Sequence, residues 1–449
     1  MPAPLVQAMK RAGLNEQHAG IFVQEVNAKA PLLIYGADHP FNPASAMKLL
    51  TTYAALELLS PAYTWKTEFF AHGVLANGVL NGDLIIKGYG DPKLTLENFW
   101  SMLRELKLRG LREIRGDLIL DRAYFKSADP DAELFDNEPA RPYNVAPDAL
   151  LLNFKSIRLQ FIPDLEKRTM QVIADPKPAQ LEIVNNLTLT LEPCENWRPK
   201  DAADIQVMAQ SARMVLSGPY PLGCGEQAWH VALFSHPQYV YSVFKELWQE
   251  AGGVFQGNVR EAQTPDEARL IYSAESATLG EAVRDINKWS NNVMARQLFL
   301  TLGAETSHEP ATAELSAQAI KDWLKDKKLN FPELVLENGA GLSRIERISA
   351  RHLGALLLAA YRSPLMPELM SSLPLAAVDG TMKKRLRDKD LSGRAHIKTG
   401  SLEGVKAIAG YVLDHKGRMM VVVCLINHAR AGDAEPLQDA LLQWVYAHK

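Results

Sequence analysis

Cysteine is scarce in this sequence, which contains three in 449 residues. So few cysteines exclude a disulfide-rich scaffold, and their positions lack the spacing of metal ligands. Cys424 lies inside the apolar run VVVCLIN, which predicts a buried core residue. Cys194 and Cys224 are expected to pair only if the protein is exported, so the sequence leaves their state open at this point.

Long apolar runs and an excess of one charge are also missing. No run of roughly 18 or more apolar residues occurs, so we expect no transmembrane helix. The formal net charge is -3 without a long basic block, and nothing indicates a nucleic-acid partner. The 11 histidines show no HExxH or other metal-binding spacing, so neither a metal nor a cofactor is predicted. The start, MPAPLVQAMKRAG, lacks the pattern of a signal peptide, and the residues alone leave the compartment open.

Both ends of the chain have the pattern of short strands beside a helix. Near the C-terminus, RAHIKTG, KAIAGYVLD and RMMVVVCLIN predict three strands, with DHKGR as a hairpin turn, and EPLQDALLQWVYAHK predicts an amphipathic helix. Near the N-terminus, the helix PLVQAMKRAG precedes the strands GIFVQEV and PLLIYG. We therefore expect one antiparallel sheet that is built from both termini and flanked by helices.

The middle of the chain divides into a strand-rich and a helix-rich part. Residues 64–200 contain strand-like runs separated by Gly, Asn, Asp and Pro, whereas residues 279–362 return to helical periodicity. We therefore predict an α+β protein with a β-rich insertion at residues 62–265, inside a domain formed by residues 1–61 and 266–449.

The stretch ASAMKLLT at residues 44–51 places one serine and one lysine in an otherwise apolar helix. Asn42 and Pro43 predict its start, with Asn42 as the N-cap and Pro43 in the first helical position. Ser45 then lies in the first turn, with Lys48 on the same face. An amine there can take the hydroxyl proton if burial or a second cation lowers its pKa. Taken alone, however, S-x-x-K is common, and an ordinary capped helix with an outward-reaching lysine is favoured.

Two further polar clusters interrupt apolar surroundings. In KWSNNVMA, Ser290 and Asn292 do not share a helix face, so they converge only from a turn between two helices. The simpler interpretation is an N-cap of the second helix. In HIKTGSLEG, Lys398 and Gly400 alternate with Thr399 along a predicted strand, where a glycine lets a ligand approach closely. The simpler interpretation here is an edge-strand lysine before a turn.

Together, S-x-x-K, S-x-N and K-T-G occur in the order and local contexts that are typical of penicillin-recognising serine enzymes. More than half of the chain lies between the first two motifs, a gap that a compact β-lactamase has no room for. The sequence resembles the class C low-molecular-mass penicillin-binding proteins, the D-alanyl-D-alanine carboxypeptidase/endopeptidases of the DacB type (peptidase family S13). The resemblance spans nearly the whole length and includes GDLIIKGYGDPKLT, APDALLLN, ENGAGLSR and DGTMKKRL.

The resemblance implies a serine transpeptidase/β-lactamase-like domain whose insertion forms one or two extra domains, with an inner subdomain at about 84–160. It also implies that Ser45 attacks the carbonyl between two D-alanines of a peptidoglycan stem peptide or a D,D-cross-link. Lys48 is then the general base, and Lys398 is the cation that lowers the pKa of Lys48. Ser290 relays a proton to the leaving amine, and Asn292 orients Lys48 and the substrate amide.

For substrate binding, the resemblance implies that Thr399, Gly400 and Ser401 receive the terminal carboxylate, together with the charge of Lys398. The backbone N–H groups of Ser45 and Ser401 form the expected oxyanion hole. β-Lactam antibiotics are expected to acylate the same serine and to leave slowly. The implied location is the periplasm, although this sequence shows no signal peptide. Peptidoglycan and β-lactams are the implied partners, with loose membrane association as a further expectation and the oligomeric state left open.

Several residues are expected to contribute less. The glycines of ENGAGLSR and the Gly-Thr pair of DGT predict turns beside the site. An acidic residue of the insertion is a candidate to bind the amine of the stem peptide. The histidine before K-T-G is predicted to be structural. In the order of these three predictions, the residues are Gly339, Gly341, Gly380 and Thr381; Asp136 and Glu138; and His396.

Two other functions stay open. A β-lactamase is disfavoured by the insertion and by the lack of an E-x-x-x-N base, and a non-catalytic penicillin-binding or cell-wall scaffold protein has no need for all these polar residues.

Overall fold

The computed structural model describes residues 1–126, 135–136, 138–195, 197, 203–208, 211–387 and 390–448. Over these residues the chain forms ten α-helices: α1 (Ala3–Ala12), α2 (Lys48–Leu59), α3 (Leu96–Leu108), α4 (His236–Glu250), α5 (Leu279–Trp289), α6 (Asn292–Ser307), α7 (Ala313–Asp326), α8 (Ala350–Tyr361), α9 (Met366–Ser372) and α10 (Glu435–Ala447). The same residues include twenty strands: β1 (Ala19–Glu25), β2 (Leu33–Tyr35), β3 (Pro40–Phe41), β4 (Lys66–Ala76), β5 (Val79–Gly88), β6 (Glu113–Ile114), β7 (Leu118–Asp121), β8 (Ile157–Asp164), β9 (Thr169–Asp175), β10 (Leu181–Thr190), β11 (Ala203–Val207), β12 (Ala212–Pro221), β13 (Gln227–Val231), β14 (Val254–Phe255), β15 (Val259–Glu261), β16 (Arg269–Glu275), β17 (Ile348–Ser349), β18 (Ala395–Leu402), β19 (Val405–Leu413) and β20 (Met419–Asn427).

The two ends of the chain come together in the first of two compact units, Met1–Trp65 with Ala277–Lys449. Its main sheet has five antiparallel strands in the order β18-β19-β20-β1-β2. Helices α1 and α10 contribute Leu5 and Leu441 to an apolar core on one face of this sheet, and Cys424 of β20 is buried in that core. The predicted sheet from both termini and the predicted burial of Cys424 are confirmed.

The opposite face of the sheet packs against helix α8. Successive side chains of a strand point to opposite faces, and Phe22 of β1 accordingly meets Gly354 of α8. Helix α2 packs against α5, α6 and α7, and its residues from Lys48 to Leu56 are all buried. A helix that is buried on every side has no polar face. A lysine at its first position is therefore costly unless its amine is used.

The second unit is Lys66–Ser276, which corresponds to the predicted insertion at residues 62–265. The later C-terminal border has a physical reason. Strand β16 pairs with β4, with Glu275 beside Lys66, so both strands belong to one sheet. Residues 266–276 therefore belong to the second unit and not, as predicted, to the first.

Three sheets make up the described part of the second unit. One has seven strands (β4–β7 and β14–β16), and two have three strands each, all supplied by the segment 157–231. The predicted inner subdomain at about 84–160 does not match this division, because β5 pairs along its length with β4 and cannot leave the larger sheet. Phe69, Leu159 and Met214, one from each sheet, belong to the same buried apolar cluster. The insertion therefore has one shared core.

Cys194 and Cys224 of the second unit are joined in a disulfide. The sequence left this pairing open, because two cysteines thirty positions apart carry no signal of their proximity. Among the described helices, none combines the length and apolar character that a membrane crossing requires.

Candidate active site

Ser45 lies in a 3-10 turn, Ala44–Met47, and helix α2 begins directly after it at Lys48. The predicted α-helical start with Asn42 as N-cap is therefore wrong. The backbone of Ala44 has a φ of 45°, which an α-helix does not accommodate. Asn42 acts earlier instead, because its Oδ1 accepts a hydrogen bond from the N–H of Ala44 at 2.9 Å. This contact fixes the approach of the chain to Ser45.

The amine of Lys48 is buried among three oxygen atoms. Its Nζ lies 2.9 Å from Ser45 Oγ and 2.7 Å from Asn292 Oδ1, and it also donates to the carbonyl of Ala340. The oxygens of Asn292 and Ala340 can only accept hydrogen bonds, whereas the Ser45 hydroxyl can also donate. A neutral amine therefore satisfies all three contacts when it gives its two N–H groups to those oxygens and its lone pair to the Ser45 proton.

Ser290 stands in the turn between helices α5 and α6, as predicted. It ends α5 in the left-handed conformation, with φ 57° and ψ 38°, and Asn291 caps α6 by accepting from the N–H of Met294. In this position Ser290 Oγ lies 2.7 Å from Lys398 Nζ of strand β18. The same amine donates to the carbonyl of Thr399 at 2.9 Å. The S-x-N turn thus contacts the lysines of both other motifs.

Burial lowers the pKa of both lysines, and like charge lowers that of Lys48 as well. Burial is the largest cause that sets the pKa of Lys48 well below its usual value, followed by the positive charge of Lys398. Glu346 acts in the opposite direction on the pKa of Lys48, and Arg296 lowers it further. Burial also lowers the pKa of Lys398, to about 7. A protonated Lys398 beside a neutral Lys48 supplies an anion-binding charge and a base at the same time.

Strand β18 runs directly against the turn that carries Ser45. A Cβ on Gly400 would lie 2.6 Å from the carbonyl oxygen of Pro43 and 3.0 Å from the amide nitrogen of Ser45. Only glycine lets the strand come this close. Thr399 and Ser401, on either side of it, are the more accessible positions of the strand. Two hydroxyls are therefore available to a ligand beside Ser45.

The DGT segment lies beside the same strand, because Thr399 Oγ1 donates to Thr381 Oγ1 at 2.7 Å. Asp379 holds the segment to helix α5 by accepting from Lys288 Nζ at 2.6 Å. A Cβ on Gly380 would lie 2.5 Å from the carbonyl oxygen of Lys288, so this close approach also requires glycine. Thr381 therefore lies beside the K-T-G strand, and its part in the site stays a prediction.

The ENGAGLSR segment forms a turn against Ser45 and Lys48, as predicted. Gly341 has a φ of 78°, and a Cβ there would lie 1.9 Å from the carbonyl oxygen of Ala44. The carbonyl of Gly339 accepts from Thr51 Oγ1 at 2.6 Å, which fixes the turn to helix α2. Between the two glycines, the carbonyl of Ala340 accepts from Lys48.

A sequence profile of the D-Ala-D-Ala carboxypeptidase 3 (S13) family matches residues 3–447 of the chain. The protein belongs to this family. S13 is a family of serine peptidases, so membership confirms both the resemblance given by the three motifs and the prediction of a serine peptidase.

Relatives match the S13 chain over most of its length. The D-alanyl-D-alanine carboxypeptidase DacB of Haemophilus influenzae is 27% identical over 425 residues, covering 93% of this chain and 87% of that protein. The crystal structure of penicillin binding protein 4 (dacB) from Haemophilus influenzae matches with a TM-score of 0.82 at 25% identity, over 99% of this chain and 100% of that one. A second structure of it, complexed with a β-lactam, gives 0.78 at 23% identity over the same shares. The predicted serine transpeptidase/β-lactamase-like fold with extra domains is confirmed.

Three residues of this S13 site were not predicted from the sequence: Ala340, Arg296 and Glu346. Ala340 takes part through a backbone carbonyl, which no side-chain pattern reveals, although the flanking Gly339 and Gly341 indicated a turn. Arg296 is the charged residue of a largely apolar stretch, and Glu346 lies between two arginines, Arg344 and Arg347, so neither has a distinctive pattern. Their burial beside Lys48 becomes evident only in the folded chain.

The two acidic candidates of the insertion belong to the second unit. Asp136 Oδ1 accepts from Asn144 Nδ2 at 2.6 Å, and Glu138 Oε1 accepts from Arg141 Nη2 at 3.0 Å. Each carboxylate has a local partner, and a role in meeting substrate stays a prediction. His396 Nδ1 lies 3.1 Å from a main-chain carbonyl oxygen of helix α9, which fits its predicted structural role.

Proposed function

We propose that this protein is a D,D-peptidase that cleaves D-alanyl-D-alanine stem peptides of peptidoglycan, or D,D-cross-links, through an acyl-enzyme on Ser45. The observation that carries the proposal is the buried amine of Lys48. Its two acceptor-only neighbours direct the remaining lone pair to the Ser45 hydroxyl. Serine becomes a competent nucleophile when an adjacent base takes its proton.

In the acylation step, Ser45 Oγ forms a bond to the substrate carbonyl carbon while its proton moves to Lys48 Nζ. The backbone N–H groups of Ser45 and Ser401 are the proposed donors to the resulting oxyanion. When the intermediate collapses, the carbon–nitrogen bond breaks and the leaving amine takes the proton, with Ser290 as the proposed relay. Lys48 returns to its neutral form, and Ser45 carries the ester.

In the deacylation step, Lys48 takes a proton from a water molecule whose oxygen attacks the ester carbon. The bond to Ser45 Oγ then breaks, and the proton on Lys48 returns to that oxygen. Because Lys48 contacts Ser45 Oγ directly, the same group serves both half-reactions.

We assign recognition of the substrate carboxylate to Lys398 together with Thr399, Gly400 and Ser401. A charged donor strengthens hydrogen bonds to a carboxylate, and the amine of Lys398 lies at the inner side of the strand that carries both hydroxyls. Thr381 adds a third hydroxyl beside Thr399. This arrangement favours peptides with a free C-terminal carboxylate.

β-Lactams are proposed to acylate the same serine and to leave slowly, as inhibitors of the enzyme. The β-lactam complex of the similar Haemophilus influenzae protein supports this assignment. A periplasmic location is proposed as well, supported by the disulfide between Cys194 and Cys224, since such bonds persist in oxidising compartments. Loose membrane association stays a prediction.

The proposed reaction is tested with a synthetic stem peptide ending in D-Ala-D-Ala and a D,D-cross-linked dimer of it. We expect the wild-type protein to cleave at least one of them and Ser45→Ala to cleave neither. The matching peptide ending in L-Ala-L-Ala is the substrate control and should stay intact. Rapid hydrolysis of benzylpenicillin without peptide cleavage would identify a β-lactamase and contradict the proposal.

A further inference from the structure

Glu346 is a fully buried carboxylate close to the proposed base. Its Oε1 accepts hydrogen bonds from three consecutive backbone N–H groups, those of Glu337 at 3.1 Å, Asn338 at 3.0 Å and Gly339 at 2.9 Å. Its Oε2 is buried without a hydrogen-bond partner among the described residues. A buried carboxylate oxygen without a hydrogen-bond partner costs free energy of folding. The presence of Glu346 in the core therefore indicates a role that offsets this cost.

The segment that Glu346 holds is the one that contacts Lys48. The three N–H groups begin the turn at residues 337–341, and the carbonyl of Ala340 in that turn accepts from Lys48 Nζ. The preceding carbonyl, of Gly339, is tied to Thr51 Oγ1. A shift of the turn would therefore move one of the two acceptors that orient the amine of Lys48.

We propose that Glu346 is a positioning residue for Ser45 acylation, which anchors the 337–341 turn so that the Ala340 carbonyl directs the lone pair of Lys48 to the serine. This inference rests on the proposed role of Lys48 as the base. Glu346 has no assigned contact with substrate and acts through the turn. The residue was not predicted from the sequence, and no motif includes its position.

The charge of Glu346 also acts on the amine of Lys48. The groups that face Lys48 are Lys398 from strand β18, Arg296 from helix α6 and Glu346 from the segment after the turn. The two cations lower the pKa of Lys48, whereas Glu346 raises it. Burial is the largest cause that raises the pKa of Glu346, the three backbone N–H groups oppose it, and the charge of Glu337 raises the pKa further. The Glu346→Ala variant loses the carboxylate and no longer fixes the Ala340 carbonyl beside Lys48. Both changes destabilise the protonated amine, so the pKa of Lys48 should fall.

The test compares Glu346→Ala with Glu346→Gln, because glutamine keeps an oxygen acceptor for the three N–H groups. Intact-protein mass spectrometry measures the rate of acylation by benzylpenicillin at a series of pH values between 5 and 9. We expect Glu346→Ala to lower the maximal rate roughly ten- to a hundred-fold and to shift the acid limb of the profile to lower pH by on the order of one unit. Glu346→Gln should keep the maximal rate within about threefold of wild type.

The matched control is Asp414→Ala. Asp414 is a second fully buried carboxylate that accepts backbone N–H groups in a turn, those of Lys416 at 2.9 Å and Arg418 at 2.8 Å, but it lies in the β19–β20 hairpin. The Asp414→Ala variant should have a lower melting temperature than the wild type but the same acylation rate and pH profile. If Glu346→Ala does not fold, Thr51→Val loosens the same turn at Gly339 and should slow acylation several-fold.

The outcomes separate the inference from the function on which it rests. A wild-type protein that benzylpenicillin does not acylate contradicts the proposed function itself. If the wild type is acylated but folded Glu346→Ala, or Thr51→Val in its place, matches it in rate and pH profile, the positioning role is wrong. A Glu346→Gln variant as slow as Glu346→Ala also overturns it, because the retained acceptor should have held the turn.

Discussion

The Lys48→Ala variant is expected to acylate roughly a hundred- to ten-thousand-fold more slowly with benzylpenicillin than the wild type, which is the range typical of a lost general base. Lys48 Nζ is the group at hydrogen-bond distance from Ser45 Oγ, at 2.9 Å, and burial together with the charge of Lys398 sets its pKa well below the usual value, which favours the neutral amine. Without the amine, the hydroxyl proton has no acceptor beside it. The rate is measured by intact-protein mass spectrometry over time, with the melting temperature of the variant as a check of folding.

The matched lysine control is Lys327→Ala. Lys327 forms an ion pair with Glu57, which lies near the other end of the helix that Lys48 begins. This variant loses a lysine contact of helix α2 without touching Ser45 and should acylate at the wild-type rate. A Lys48→Ala protein that is folded and acylates within tenfold of wild type would remove Lys48 from the role of base.

The second large effect is expected for Gly341→Ala. The φ of 78° at Gly341 is strained for alanine by about 1–2 kcal/mol, and the new Cβ would lie 1.9 Å from the Ala44 carbonyl oxygen and 2.8 Å from the Ser45 amide nitrogen. Backbone atoms cannot rotate away, so the turn that carries Ser45 must move. Overpacking typically adds about 1–3 kcal/mol. We expect the free energy of unfolding to fall by about 3 kcal/mol and acylation to fall at least about a hundredfold, since small misplacements of reacting groups are this costly.

Gly417→Ala separates the steric effect from the conformational one. Gly417 has a φ of 79°, nearly the same as Gly341, but a Cβ there meets no heavy atom within 4 Å. Chemical and thermal unfolding should show only the conformational cost of about 1–2 kcal/mol, with an unchanged acylation rate. If the folded Gly341→Ala protein acylates as fast as Gly417→Ala, the close packing of the two turns does not position Ser45.

The parts of the site that the sequence predicts are those with side-chain patterns. Period-2 runs located strands β18–β20, and a serine and an asparagine two positions apart required the inter-helix turn at Ser290 that the structure contains. Lys48 and Lys398 each had a simpler interpretation in isolation and were assigned to the site only when the three motifs were taken together; both are buried. The three motifs together then indicated the family.

The remaining features depend on backbone geometry or long-range pairing, which single residues do not reveal. The 3-10 turn at Ala44–Met47 replaces the predicted helical start because Ala44 is held at a positive φ between Asn42 and the Gly341 turn. The carbonyl of Ala340 has no side-chain signature. The later end of the insertion follows from the pairing of β16 with β4, two strands that lie far apart in the sequence.

The most direct test of the account is to locate the acyl group after brief exposure to benzylpenicillin. Intact-protein mass spectrometry should show one added drug molecule on the wild-type protein, and peptide mapping should place it on Ser45. The Ser45→Ala protein should show no addition. An adduct that persists in Ser45→Ala, or one that maps to another residue, would contradict the assignment of Ser45 as the nucleophile.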